Sequence, residues 1–128
     1  MAITLDTGAL ICLERHRLAI REVFETALRN GVPIIVPSVV LSEWWRRGER
    51  EKQRATILRA VRVDPLETVT AKLAGVAVGL VMGAGTIDAI VMATAAQRGD
   101  IVYTTDVDDL VALRDGVPEF ARIEIFAA

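Results

Sequence analysis

Cysteine and histidine are almost missing from this chain, and their scarcity removes whole classes of architecture. The one thiol, Cys12, has no partner for an internal disulfide, and with His16 the only histidine there is no Cys/His set for zinc. Cys12 sits in the apolar run Ala9-Leu10-Ile11-Cys12-Leu13 and is expected to act as a small buried hydrophobe. His16, between Arg15 and Arg17, is expected at the solvated surface rather than as a catalytic base. Four prolines are too few for a disordered chain of this hydrophobicity, and no linker, repeat or low-complexity segment interrupts it. No apolar run is long enough to span a bilayer: the weakly polar stretch from Leu73 to Ile87 is short and holds four glycines. Met1 to Leu5 lead straight into an acid with no basic segment, so no leader is expected, and a cytoplasmic, reducing compartment is the default. The net charge of −2 supplies no overall basic field for nucleic acid.

What is present suits one compact core. The 128 residues fit a single domain, 1–128, and 52% of them are hydrophobic. At this size folding removes roughly two-thirds of the unfolded chain's surface from water, so no covalent staple is needed.

The apolar pattern alternates between two types. Ile3-Thr4-Leu5 reads as a short buried strand ending on Asp6, and Pro33-Ile34-Ile35-Val36-Pro37 as a β-branched strand buried on both faces. Arg62-Val63-Asp64 suits a brief edge strand, Ile101-Val102-Tyr103-Thr104 another buried one, and Arg122 to Phe126 the last. Helical spacing is expected over Thr7–Arg15, over Leu18–Asn30 (with Leu18, Val23, Ala27 and Leu28 on one side), and over Val39 to about Gly48 after a Ser38 cap. Further helices are expected over Arg50–Val61, Leu66–Met82, Ile87–Arg98 with Thr86 as cap, and Asp106–Leu113, with stops at Asn30-Gly31 and Gly99. Strands that alternate with helices and read as continuous hydrophobic runs imply an α/β fold. The expectation is a three-layer α/β/α sandwich around a mostly parallel sheet of about five strands.

In such sheets ligands bind beyond the carboxyl ends of the strands. Asp6 and Asp106 directly follow strands, Glu43 falls in the second turn of the helix after the second strand, and Asp88 in the first turn of its helix. All four can point to one end of the sheet. Carboxylates held close together repel, and some must protonate unless a cation neutralises them. Oxygen ligands without His or Cys suit Mg²⁺ or Mn²⁺, and such an ion can lower the pKa of bound water and stabilise charge on a phosphodiester.

The residues that carry this pattern resemble the PIN-domain ribonucleases, specifically the single-domain VapC-type toxins of prokaryotic toxin–antitoxin pairs. The resemblance runs through Ile3-Thr4-Leu5-Asp6-Thr7-Gly8-Ala9-Leu10-Ile11 and Pro37-Ser38-Val39-Val40-Leu41-Ser42-Glu43. It continues through Ile87 to Ala96 and Ile101 to Leu110, in the same order and spacing. It implies a metal-binding and catalytic quartet of Asp6, Glu43, Asp88 and Asp106, with Asp6 and Asp106 as direct ligands and Asp108 as a further acid. Thr104 and Thr7 would support the quartet, while Asp109 would cap a helix or face solvent. The activity implied is Mg²⁺- or Mn²⁺-dependent hydrolysis of RNA, the partners an antitoxin that covers the site and a second copy of the chain. One ion or two is left open.

Several features stand beside that resemblance. Arg46, Arg47, Arg50, Lys52, Arg54, Arg59 and Arg62 crowd one segment, either as a solvated helix face or as a basic wall for RNA phosphates led by Arg46, Arg47 and Arg50. Trp44 and Trp45 are adjacent, so on a helix they point about 100° apart: one is expected in the core and the other is available to a partner. A PIN-fold module that binds RNA or protein without cleaving is the non-enzymatic alternative. Leu5-Asp6-Thr7-Gly8-Ala9 also resembles the active-site string of aspartic proteases, which belongs to an all-β fold. A haloacid-dehalogenase-like phosphotransferase would need an Asp where Gly8 stands, and Gly79, Gly83 and Gly85 form no dinucleotide fingerprint.

Overall fold

The computed structural model describes residues 1–99 and 101–128. Its centre is a sheet of five parallel strands: β1 (Ile3–Leu5), β2 (Ile34–Pro37), β3 (Arg62–Asp64), β4 (Ile101–Thr104) and β5 (Glu124–Ala127), in the order β3-β2-β1-β4-β5. Every strand therefore runs the same way, and every connection is a crossover carrying helix. The order turns back between β1 and β4, and this switch point opens a crevice beyond the strand ends. In register, Leu5 lies beside Tyr103, so the next residue, Asp6, emerges beside Thr104. The α/β architecture removes the aspartic-protease reading, whose fold has no such helices.

The helices are α1 (Thr7–Glu14), α2 (Leu18–Arg29), α3 (Ser38–Trp44), α4 (Glu51–Ala60), α5 (Thr68–Leu80), α6 (Thr86–Arg98) and α7 (Val107–Gly116), with a 3₁₀ turn over Pro118–Phe120. α5, α6 and α7 contact one another, while α2, α3 and α4 gather about α1. α6 is the hub. Ala89 through Ala95 are all buried, because the helix has the sheet on one side and α5 and α7 on others. Its small residues admit that close packing, while fully buried Val91 and Met92 each contribute roughly 1.5–3 kcal/mol. Leu5, Leu10, Val36, Val40, Leu110 and Phe120 extend the same core.

Several local expectations need correction. α3 stops at Trp44 rather than running to Gly48, because Trp45 turns to extended backbone (φ −67°, ψ 122°). Ser38 does not cap it: Pro37 is the N-cap, and the Ser38 hydroxyl instead accepts the Leu66 N–H at 3.2 Å. Thr86 is likewise the first residue of α6, after Gly85 as N-cap. On α2 the inward stripe is Ile20, Val23, Phe24 and Ala27, while Leu18 and Leu28 are 69% and 46% exposed. α5 is shorter at both ends than expected, α7 runs on to Gly116, and β5 starts at Glu124. Cys12 is only partly buried, packed against the core edge. The Asn30-Gly31 stop holds: Asn30 is the C-cap of α2, and Gly31 has φ +67°, a conformation that costs glycine little. No helix among the described residues is long and apolar enough to cross a membrane.

Candidate metal centre

Asp6 leaves β1 as the N-cap of α1. Its Oδ1 accepts the Ala9 N–H at 2.8 Å, satisfying one of the free donors of the first turn. Its Oδ2 accepts a short hydrogen bond from the Thr104 hydroxyl, which in turn accepts the Asp106 N–H at 2.8 Å. Thr104 is fully buried, so one hydroxyl fixes the acid that follows β1 and the backbone of the acid that follows β4. Each Asp6 oxygen keeps a lone pair that these bonds do not use.

The other acids arrive from separate elements. Glu43, exposed near the end of α3, accepts the Thr7 hydroxyl at 2.6 Å, which ties α3 to the first turn of α1. Asp88 lies in the first turn of α6, and Asp106 is the N-cap of α7. Asp6, Glu43, Asp88 and Asp106 all line one cleft of about 420 Å³, together with Thr7, Gly8, Gly85, Thr86, Ile87 and Thr105. Gly8 is where two elements nearly touch: a Cβ there would stand 1.9 Å from Thr105 Oγ1 and 2.9 Å from its Cβ.

The electrostatics of the cleft are those of uncompensated like charge. Burial raises the Asp6 carboxyl above the usual range, outweighing the Thr104 and Ala9 hydrogen bonds that lower it, and Asp106 and Glu43 raise it further. Asp88 is pushed up to about 6, first by burial and then by Asp106, Asp6, Asp109 and Glu43. Among the described residues no basic side chain lines the cleft.

The donor set fits a hard divalent cation: carboxylate and hydroxyl oxygens, no sulfur or imidazole, and negative charge in need of neutralising. The four acids line the cleft, but among the described residues no group of three His, Cys, Asp or Glu side chains is placed to hold an ion by itself. Such an arrangement suits Mg²⁺, which keeps several waters and takes only one or two carboxylates directly.

The remaining sequence candidates fall outside the cleft. Asp108 shares an adjoining depression with Asp106 and Asp109, and of the two α7 acids it is Asp109 whose charge is felt at Asp88. Arg46 is committed elsewhere: its guanidinium donates to the Ser42 and Trp45 carbonyls at 3.1 and 2.7 Å, closing the end of α3. Arg47 and Arg50 are exposed on the segment that follows. Trp44 is the buried member of the pair, its indole N–H donating to Glu14 at 2.8 Å, and partly buried Trp45 meets it edge-on. Sequence reasoning passed over Glu14 and Thr105. The signal for Glu14 was its phase: it follows Leu10 and Leu13 on the inward stripe of α1, where an apolar residue is expected.

No protein-family model and no curated protein matches the chain. Solved structures do. A chain of VapBC2 from Rickettsia felis, in a structure bound to a promoter DNA fragment, superposes with a TM-score of 0.73 at 15% identity, covering 100% of this chain and 99% of that one. DNA-bound VapBC from Salmonella typhimurium gives 0.73 at 18%, covering 99% and 98%. Mycobacterium tuberculosis VapC20, described as a Sarcin-Ricin loop cleaving toxin, gives 0.60 at 23%, covering 87% and 95%. The chain has the PIN fold of these VapC structures, matched over 87–100% of its length.

Proposed function

We propose that this protein is a VapC-type toxin, a Mg²⁺- or Mn²⁺-dependent endoribonuclease that a cognate antitoxin holds in check. The observation that carries the reading is the cleft itself. Four carboxylates from four elements line one opening at the switch point of a parallel sheet, where burial first and the neighbouring acids second raise Asp88 to about 6. When bound, a divalent ion would supply an activated water and stabilise charge on the phosphodiester undergoing hydrolysis.

Asp6 and Asp106 would hold the ion, both anchored through Thr104. Glu43 and Asp88, from α3 and α6, would complete the ion's ligand shell or orient its water. Arg46, Arg47 and Arg50, all exposed between α3 and α4, are the cations proposed to meet RNA phosphates, Arg46 being also bonded back to the end of α3. An antitoxin is proposed as a partner by likeness to the VapBC complexes, and a second copy of the chain and the cytoplasm are proposed from the family resemblance of the sequence.

The test is cleavage of total RNA by the purified protein with Mg²⁺ or Mn²⁺, beside a chelator control and Asp6→Asn. Cleavage that requires the ion and is lost in Asp6→Asn supports the proposal. Equal behaviour of wild type and Asp6→Asn ends it and leaves a PIN-fold binding module.

A further inference from the structure

Glu43 sits at a mechanically weak place. α3 has seven residues, too few to be stable alone, and Glu43 is in its last turn. Beyond Trp44 the chain forms no helix until Glu51, and local support for this turn is limited to the Trp45 N–H on the Leu41 carbonyl and the Arg46 guanidinium on the Ser42 and Trp45 carbonyls. Further support comes from elsewhere. The Trp44 indole N–H donates to Glu14 Oε1 at 2.8 Å. Arg54, from α4, grips both oxygens of the same carboxylate, Nε to Oε1 and Nη2 to Oε2, each at 3.2 Å. Its Nη1 donates to the Arg46 carbonyl at 2.8 Å, which fixes the chain just past α3. Glu14 is only 4% exposed, so its charge needs this fork.

Glu14 ends the helix that Asp6 begins. α1 therefore touches α3 at two points roughly 10 Å apart along its axis, through Thr7 to Glu43 at the cleft and through Glu14 to Trp44 at the far end. Two fixed points set the angle between the helices, and that angle sets where the Glu43 carboxylate stands. We propose that Glu14, Arg54 and Trp44 form a clamp that positions Glu43 for the metal centre. The inference rests on the reading of the cleft as a metal site. It assigns positioning roles to three residues that do not touch that site.

The experiment is a double-mutant cycle read by Mn²⁺ titration with EPR detection. Trp44→Phe and Arg54→Met are made in chains with Glu43 and with Glu43→Gln. Each is expected to weaken Mn²⁺ binding roughly tenfold when Glu43 is present, as loss of support behind a ligand does. Neither should weaken it further in the Glu43→Gln background. Arg54→Lys, which keeps the charge but not the fork, should fall between. Equal losses in both backgrounds, or lower thermal stability with unchanged Mn²⁺ affinity, overturn the clamp. Trp44→Phe removes the indole donor and part of the ring volume while leaving Glu14 paired with Arg54, and it carries the test if Arg54→Met does not fold. If the wild type binds no Mn²⁺, the metal reading has failed, and the clamp is judged by the Glu43 ¹³Cδ resonance of the metal-free protein. Displacement of that resonance in Trp44→Phe supports it, and an unmoved resonance overturns it.

Discussion

The two ends of α1 each hold a buried acid, and the two are treated in opposite ways. Asp6 and Glu14 are both 4% exposed. Glu14 meets a guanidinium and an indole N–H, so its charge is neutralised from within the chain. Asp6 meets only neutral donors and is surrounded by other carboxylates, and its proton affinity rises. Burial alone does not mark a site. An acid already compensated is architecture, and one left uncompensated among others of its kind is a place for a cation.

The comparison can be broken at either end, and the largest effect is expected at Glu14. Arg54→Met leaves an unpaired buried carboxylate and should cost roughly 3–5 kcal/mol in urea unfolding, most of it recovered by Glu14→Met/Arg54→Met. A single variant as stable as wild type would show that the charge is held by something else. At the other end, compensation can be added rather than removed. Mn²⁺ at a hundredfold excess over its dissociation constant should stabilise the fold by about 2.7 kcal/mol in calorimetry, and Asp6→Asn should abolish the gain.

Gly8→Ala tests how tightly the Asp6 end is closed. The new methyl must displace Thr105, whose Cβ as well as its hydroxyl is in the way, at a cost of roughly 1–3 kcal/mol. Thr105→Gly in the same chain should relieve it; a neutral Gly8→Ala would mean the strand end yields freely.

The smallest expected effect is that of Asp88. Its raised value means that its contribution to stability is present below the unfolded carboxylate range, near 3.8, and is lost as pH rises through about 6. The metal-free protein should therefore lose stability between pH 4 and pH 7. Because Asp88 is only half-buried, water screens part of this, and Asp88→Asn should gain about 1 kcal/mol at pH 7.5, or about 4 °C in melting temperature. No gain at pH 7.5, or an equal gain at pH 3.5, would contradict the assignment.

Much of this was legible in the residues. β-branched runs such as Ile34-Ile35-Val36 can only be buried strands, and the acids at Asp6 and Asp106 follow from where such runs stop. Helix ends were less legible. Arg46 and Arg47 suit a helix locally, so nothing in them announces that α3 ends at Trp44; past that end Arg46 donates back to the Ser42 and Trp45 carbonyls, and Arg54 reaches across from α4 to the Arg46 carbonyl. On α2 the expected face is right at Val23 and Ala27 and wrong at Leu18 and Leu28, because the 3.6-residue period turns Ile20 and Phe24 inward in their place. The partners of Glu14 lie 30 and 40 residues away, and no local pattern shows which of seven clustered cations is the one turned inward.

The central claim is that the cleft is a divalent-metal centre built on Asp6. Its most direct test is Mn²⁺ titration of the metal-free protein at pH 6, following both bound ion and released proton. Saturable binding with proton release, absent in Asp6→Asn and diminished in Asp88→Asn, is the predicted result. Binding that is absent from the wild type, or indifferent to Asp6→Asn, would contradict the account.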